Sequence, residues 1–208
     1  MDKKEVTIWA FLACSFILMS SAFYLFFHEY KGYLKLESKE FMNYTINGIN
    51  VRIDRDADQS RYVALIMAID KEYIKGLENI TVAKNVVVDK DNKYVGGYYF
   101  DGSIFIDMDE DEYETLYHEL GHHVMDYYNL DYCKLFDKMV EDAEKEDIFG
   151  AGVKFLGNKS VYLNHRFPSE YSLKSCSENF AVNFALWKME EPIYGEIENY
   201  FKNMELKK

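Results

Sequence analysis

Apolar residues recur along this chain with three different rhythms, and each rhythm predicts a different kind of element. From Thr7 to Phe27 the sequence carries no charge over 21 positions, enough for a helix to cross a hydrocarbon layer of about 30 Å. Shorter runs rich in β-branched residues follow. Tyr44-Thr45-Ile46 and Ile49-Asn50-Val51 flank Asn47-Gly48, a dipeptide suited to the two positive-φ positions of a tight hairpin. Ile80-Thr81-Val82 and Val86-Val87-Val88 read as strand, and Val95 to Phe100, Asp101-Gly102 and Ser103 to Asp107 read as a second hairpin. Between these, Tyr62, Leu65, Ile66, Ile69, Tyr73 and Leu77 fall at helical intervals, which predicts one helix over Gln59 to Leu77 packed on the sheet. Helical spacing then dominates the remainder. Tyr113, Leu116, Tyr117, Leu120 and Val124 form one apolar stripe behind an acidic start at Asp107 to Glu112, a composition suited to a helix N-terminus. Leu130 to Glu146 and Ser175 to Met189 are further amphipathic segments, Phe149 to Pro168 is irregular, and Pro192 is placed to open a last short helix.

The pattern predicts an α+β fold, a small mixed or antiparallel sheet packed on helices and preceded by one transmembrane helix. Residues 1–27 form the anchor, 28–40 a charged juxtamembrane connector, and 41–208 a single globular domain. A length of 208 residues fits one domain with a sizeable core, and 49% apolar and 17% aromatic content excludes a disordered chain. The net charge of −12, without clustered Lys and Arg, excludes a nucleic-acid binder. The apolar run outlasts a signal-peptide core, no small-residue cleavage site follows it, and it continues past Cys14 where a lipoprotein would turn polar, so an uncleaved single-pass anchor is expected. Lys3 and Lys4 flank one end and Lys31, Lys35 and Lys39 the other, so charge does not set the side. A very short tail before a large domain favours an N-inside arrangement, with the domain on the outer face of the cell membrane. Cys133 and Cys176 are the only pair outside the apolar run, and without a framework of regular spacings both are expected to be free buried thiols.

One pentad carries chemistry. In His118-Glu119-Leu120-Gly121-His122 the two imidazoles, four residues apart on a helix, share a face and can reach one metal ion, with Glu119 beside the open coordination position. Gly121 costs about 1 kcal/mol of helix propensity relative to Ala, which implies that another backbone packs closely there. Gly96-Gly97 reads equally as a bulge, a close backbone approach or an ordinary turn. A catalytic zinc site takes three protein ligands and a water. Tyr128 stands where a metzincin would place its third histidine, so that subclass is excluded and a carboxylate on a later helix is required. Glu178 fits, because Phe180, Phe184 and Trp187 can bury the adjoining face. Tyr171, two helical turns before Glu178, is the candidate donor to an oxyanion. Asp126 and Asn183 are candidates to orient a ligand.

Across Val95 to Met189 the chain resembles the lethal-factor-like zinc endopeptidases, the family of the anthrax lethal factor catalytic domain and the Pro-Pro endopeptidases. The resemblance rests on the H-E-x-G-H stretch at His118 to His122, the Tyr171 to Glu178 spacing and the E-x-F-A-like run at Glu178 to Ala181. It implies a zincin-like peptidase domain, zinc held by His118, His122 and Glu178, Glu119 as base and Tyr171 assisting the oxyanion. It also implies a protein or peptide substrate lying extended on the edge strand before the zinc helix, at Val95 to Phe100 or Ser103 to Ile106. The sequence departs from the family at Val182, where a carboxylate would be expected, and in the long separation between His122 and Glu178. Two other readings stay open: a repressor-cleaving regulatory metallopeptidase of a mobile element, and a catalytically silent zinc-containing binding module.

Overall fold

The computed structural model describes residues 36–86, 95–145, 167–169 and 171–206. The anchor at 7–27, the connector up to residue 35, Val87-Val88 and most of the irregular stretch 149–168 lie outside the described residues. Among the described residues no helix is long and apolar enough to cross a membrane.

The fold is mixed α+β, built on one five-stranded sheet. Strands β1 (Phe41–Ile46) and β2 (Ile49–Asp54) form the first hairpin. Its turn is what the dipeptide predicts, with Asn47 at φ 51° and Gly48 at φ 88°, the left-handed conformations a two-residue turn requires. Helix α1 (Gln59–Met67) leads to β3 (Asn79–Ala83), and β4 (Gly97–Phe100) and β5 (Ser103–Asp107) make the second hairpin through Asp101 and Gly102, both at positive φ. The strand order is β1-β2-β3-β5-β4, with β2, β3 and β5 parallel and each outer strand antiparallel to its neighbour.

Among the described residues four α-helices follow: α2 (Glu112–Tyr127), α3 (Cys133–Lys145), α4 (Cys176–Lys188) and α5 (Gly195–Asn203). Val51, Ile53, Ile80, Val82, Ile104 and Ile106 alternate inward from the sheet, where they join Leu116, Leu120 and Val124 of α2, Phe180 and Phe184 of α4, and Ile197 and Phe201 of α5 in one buried cluster. Alternation thus buries one sheet face, while the 3.6-residue period buries one stripe of each helix. Deep in that cluster the Tyr132 hydroxyl donates to Asn179 Oδ1 at 2.6 Å, tying α4 to the residue just before α3.

The last helix opens at Gly195 behind Tyr194 rather than at Pro192, and three further details differ from the sequence expectation. The predicted helix over Gln59 to Leu77 stops at Met67, and the chain continues through turns in which Gly76 takes φ 77°. Ile69, Ile74 and Leu77 are buried all the same, so consecutive turns satisfy the apolar period without a continuous helix. Tyr113 is 48% exposed and does not belong to the buried stripe of α2. Cys133 and Cys176 are not free thiols but form a disulfide joining the first residues of α3 and α4, whose Cα atoms lie 5.1 Å apart.

Candidate metal centre

The three predicted ligands meet at the crossing of α2 and α4. Helix α2 is started by Asp111, whose carboxylate accepts the backbone N–H groups of Tyr113 and Glu114. Two turns on, His118 and His122 project from one face, their Nε2 atoms 3.2 Å apart. Gly121 lies between them against α4. A Cβ there would stand 2.8 Å from the Ala181 Cα, so the close helix approach inferred from the glycine is present.

Helix α4 begins with Ser175, whose Oγ accepts the Glu178 backbone N–H at 3.1 Å. Ser175-Cys-Ser-Glu178 has the spacing of a capping box, in which the glutamate would reach back to the capping residue's own N–H. Here the Glu178 carboxylate points across to α2 instead. Its Oε2 lies 3.3 Å from His118 Nε2 and 3.3 Å from His122 Nε2. These three donor atoms make a nearly equilateral triangle, and this His118, His122 and Glu178 group can hold one metal ion.

The donor chemistry fits a cation. Glu178 Oε2 is buried and, among the described residues, has only the two histidine rings facing it, an arrangement that suits a shared cation, since a buried polar atom needs a partner. Burial works to raise the Glu178 carboxyl, but the facing His118 and His122 rings outweigh it and hold the group well below the usual carboxylate range. Its other oxygen, Oε1, accepts the Tyr171 hydroxyl at 3.0 Å. Burial, and then the charge of Glu178, hold the Tyr171 phenol protonated, well above its ordinary range. Tyr171 sits in a single 3₁₀ turn, Tyr171–Leu173, rather than on α4 itself, so its alignment with Glu178 comes from the turn preceding the helix.

Glu119 lies beside the triangle and is buried. Burial raises its carboxyl above the ordinary range, opposed by the neighbouring His118 and His122 and reinforced by Glu178, while the Tyr99 backbone N–H donates to it. That donor belongs to β4, which comes close because of Gly97. A Cβ at Gly97 would stand 2.7 Å from Glu119 Cγ and Oε1 and from Thr115 Cγ2. Of the three readings of Gly96-Gly97, close backbone approach is therefore the one that holds at Gly97. Among the described residues the sheet order places β4 at one edge and β5 in the interior, so of the two proposed docking strands Ser103 to Ile106 is excluded.

A cleft of about 490 Å³ opens between the β4 entry and the first turns of α2, lined by Gly96, Gly97, Thr115, His118, Glu119 and Tyr171 among others. A second hollow of about 510 Å³, between Glu37 to Glu40, Asp54 to Asp56 and Lys84, contains neither His nor Cys and is remote from this chemistry.

Neither candidate orienting residue reaches a ligand. Asp126 accepts the Tyr99 hydroxyl at 2.9 Å, and Asn183 donates to the Asn179 carbonyl at 2.8 Å. Ser177 is the residue sequence reasoning missed, with its Oγ 2.9 Å from His122 Nδ1. Its one sequence signal is adjacency to Glu178, which is visible only once the helices are seen to cross. No family model, curated protein or solved structure matches the chain.

Proposed function

We propose that this chain is a zinc-dependent endopeptidase with a zincin-like catalytic domain, tethered to the cell membrane by residues 7–27 and acting outside the cell. The observation that carries the reading is the donor triangle, with edges of 3.2, 3.3 and 3.3 Å. Ligands set tetrahedrally at about 2.0–2.1 Å from a zinc ion stand about 3.3–3.4 Å apart, so the two imidazoles and the carboxylate match a zinc site that keeps its fourth position open. A bound zinc ion supplies Lewis-acid activation of a water molecule and of the peptide carbonyl.

The protein's own groups account for the rest of the chemistry. Glu119 lines the cleft beside His118 and is raised by burial, which suits a group that must take the proton of the attacking water and then deliver it to the leaving amine. Tyr171, held protonated next to Glu178, is placed to turn its hydroxyl toward the oxyanion that develops on the carbonyl. Substrate peptide lies extended along β4, beside the cleft that Gly97, His118 and Glu119 line, with main-chain pairing supplying affinity. A structural zinc site has no need of a buried glutamate beside its ligands in a cleft, which favours hydrolysis over a silent binding module.

The test uses the full chain in detergent micelles and a library of unstructured peptides. The chain is expected to bind one zinc ion and cleave the library. Glu119→Gln is expected to keep the metal while losing turnover by a factor of about 10²–10⁴, the usual range for removing a general base. Cleavage at the wild-type rate by Glu119→Gln would reject the mechanism.

A further inference from the structure

A neutral imidazole carries one proton, so a histidine offers Nε2 to a metal only when that proton sits on Nδ1. Both ligand histidines turn Nε2 toward the Glu178 carboxylate, and both therefore need the Nδ1-protonated tautomer. They are held differently. His122 Nδ1 meets Ser177 Oγ at 2.9 Å, whereas among the described residues no hydrogen-bond partner meets His118 Nδ1, whose ring instead faces that of Tyr171 at a centroid distance of 5.7 Å.

Ser177 has no local task that explains this placement. The exposed N–H of Glu178 is already capped by Ser175, so the Ser177 hydroxyl is free of the helix start and reaches across to α2. Its position in the chain gives the contact its force. Ser177 and Glu178 are consecutive residues of α4, and they grip the two ring nitrogens of His122 from opposite sides, Oγ at Nδ1 and Oε2 at Nε2. The ring has no freedom to flip without losing both contacts. The covalent link of Cys176 to Cys133 fixes the residue immediately before this pair, and the absent side chain of Gly121 lets α4 lie close enough for the grip.

We propose that Ser177 is a positioning residue for the metal centre: its hydroxyl accepts the Nδ1–H of His122, fixing the tautomer and plane in which that ring presents Nε2. This rests on the metal-centre reading above and adds to it an outer partner that the motif does not contain. Where a carboxylate in this position would add negative charge behind the ligand, a serine hydroxyl orients the ring and leaves the charge of the centre unchanged.

The experiment compares the full chain with Ser177→Ala and Ser177→Thr in the same micelles. Circular dichroism checks that each folds, carbon-13 relaxation of the metal-free proteins reports how firmly the His122 ring is held, solvent exchange of the His122 Nδ1–H is followed in the zinc-loaded proteins, and competition with a chromophoric chelator reports zinc affinity. Wild type is expected to hold the ring in one orientation without metal and to show a slowly exchanging Nδ1–H once zinc is bound. Ser177→Ala is expected to loosen the ring, speed that exchange and bind zinc about 10–100-fold more weakly, the usual effect of losing an outer-shell partner, and Ser177→Thr to restore all three. Unchanged ring order and affinity in Ser177→Ala would overturn the proposal, as would a failure of Ser177→Thr to restore them. Should the wild type bind no zinc, the metal-centre reading falls, while the ring order of the metal-free proteins still decides whether Ser177 orients His122.

Discussion

Gly121→Ala sets two effects of opposite sign against each other. Gly121 lies within α2 between the two histidines, and replacing a helical glycine with alanine gains about 1 kcal/mol of propensity. The added Cβ, however, would stand 2.8 Å from the Ala181 Cα, 3.2 Å from the Phe184 Cβ and 3.4 Å from the Ala181 Cβ. The first of these is backbone and cannot rotate away. Carbon atoms rest at about 3.5–4.0 Å, so α4 must retreat by about 0.7–1.2 Å. Overpacking of this kind costs about 1–3 kcal/mol, which leaves a net destabilisation of about 0–2 kcal/mol once the propensity gain is subtracted. The metal centre is far less tolerant. Glu178 precedes Ala181 by one helical turn and moves with it, while metal–ligand distances tolerate only about ±0.2 Å. Zinc affinity in Gly121→Ala is therefore expected to fall at least about tenfold, the effect of disturbing a ligand's placement, with the thermal midpoint lowered slightly or unchanged. Chelator competition and thermal unfolding of the metal-free protein measure the two separately. A variant that binds zinc as tightly as wild type and melts higher would show that the helix crossing does not set the position of Glu178.

Three further outcomes follow from particular contacts. Gly97→Ala drives a Cβ into Glu119 and Thr115, so peptide hydrolysis is expected to collapse while zinc content stays at wild-type level; equal loss of both would show that the strand supports the ligands rather than the base. The Cys133–Cys176 bond spans a sequence separation of 43, for which the chain-entropy estimate is about 4 kcal/mol; Cys133→Ala with Cys176→Ala, or a non-chelating reductant, should lower the thermal midpoint by many degrees and weaken zinc binding, and an unchanged midpoint would refute a covalent tie. Removal of metal with a strong chelator should abolish hydrolysis and lower the melting temperature, with zinc restoring both; activity that survives exhaustive chelation would exclude metal chemistry.

The parts of the fold legible in the sequence were those specified by neighbouring residues. Asn47-Gly48 and Asp101-Gly102 announce their hairpins because the turn conformations they adopt are written in the dipeptide. His118 and His122 are legible because helical spacing alone places them on one face. Glu178 could be proposed because an incomplete ligand set demands a third donor and because Phe180 and Phe184 mark which face of α4 is buried. The rest depended on contacts between distant segments. Nothing before Gly76 signals that α1 ends at Met67, since the apolar period runs on through the turns. The pairing of Cys133 with Cys176 follows from the proximity of two helix starts, and the role of Ser177 from the crossing of α2 with α4. Likewise, Val86 is buried outside the strands, its N–H donating to Asp107 Oδ2 at 2.9 Å, although its composition reads as strand.

The central claim is that two imidazoles and one carboxylate surround a single zinc ion. X-ray absorption at the zinc edge of the loaded full chain tests it directly. A first shell containing two imidazole nitrogens with the remainder oxygen, all at about 2.0–2.2 Å, lost on Glu178→Ala together with tight binding, is the predicted result. A sulfur shell near about 2.3 Å, or a zinc environment that His118→Ala, His122→Ala and Glu178→Ala leave unchanged, would contradict it.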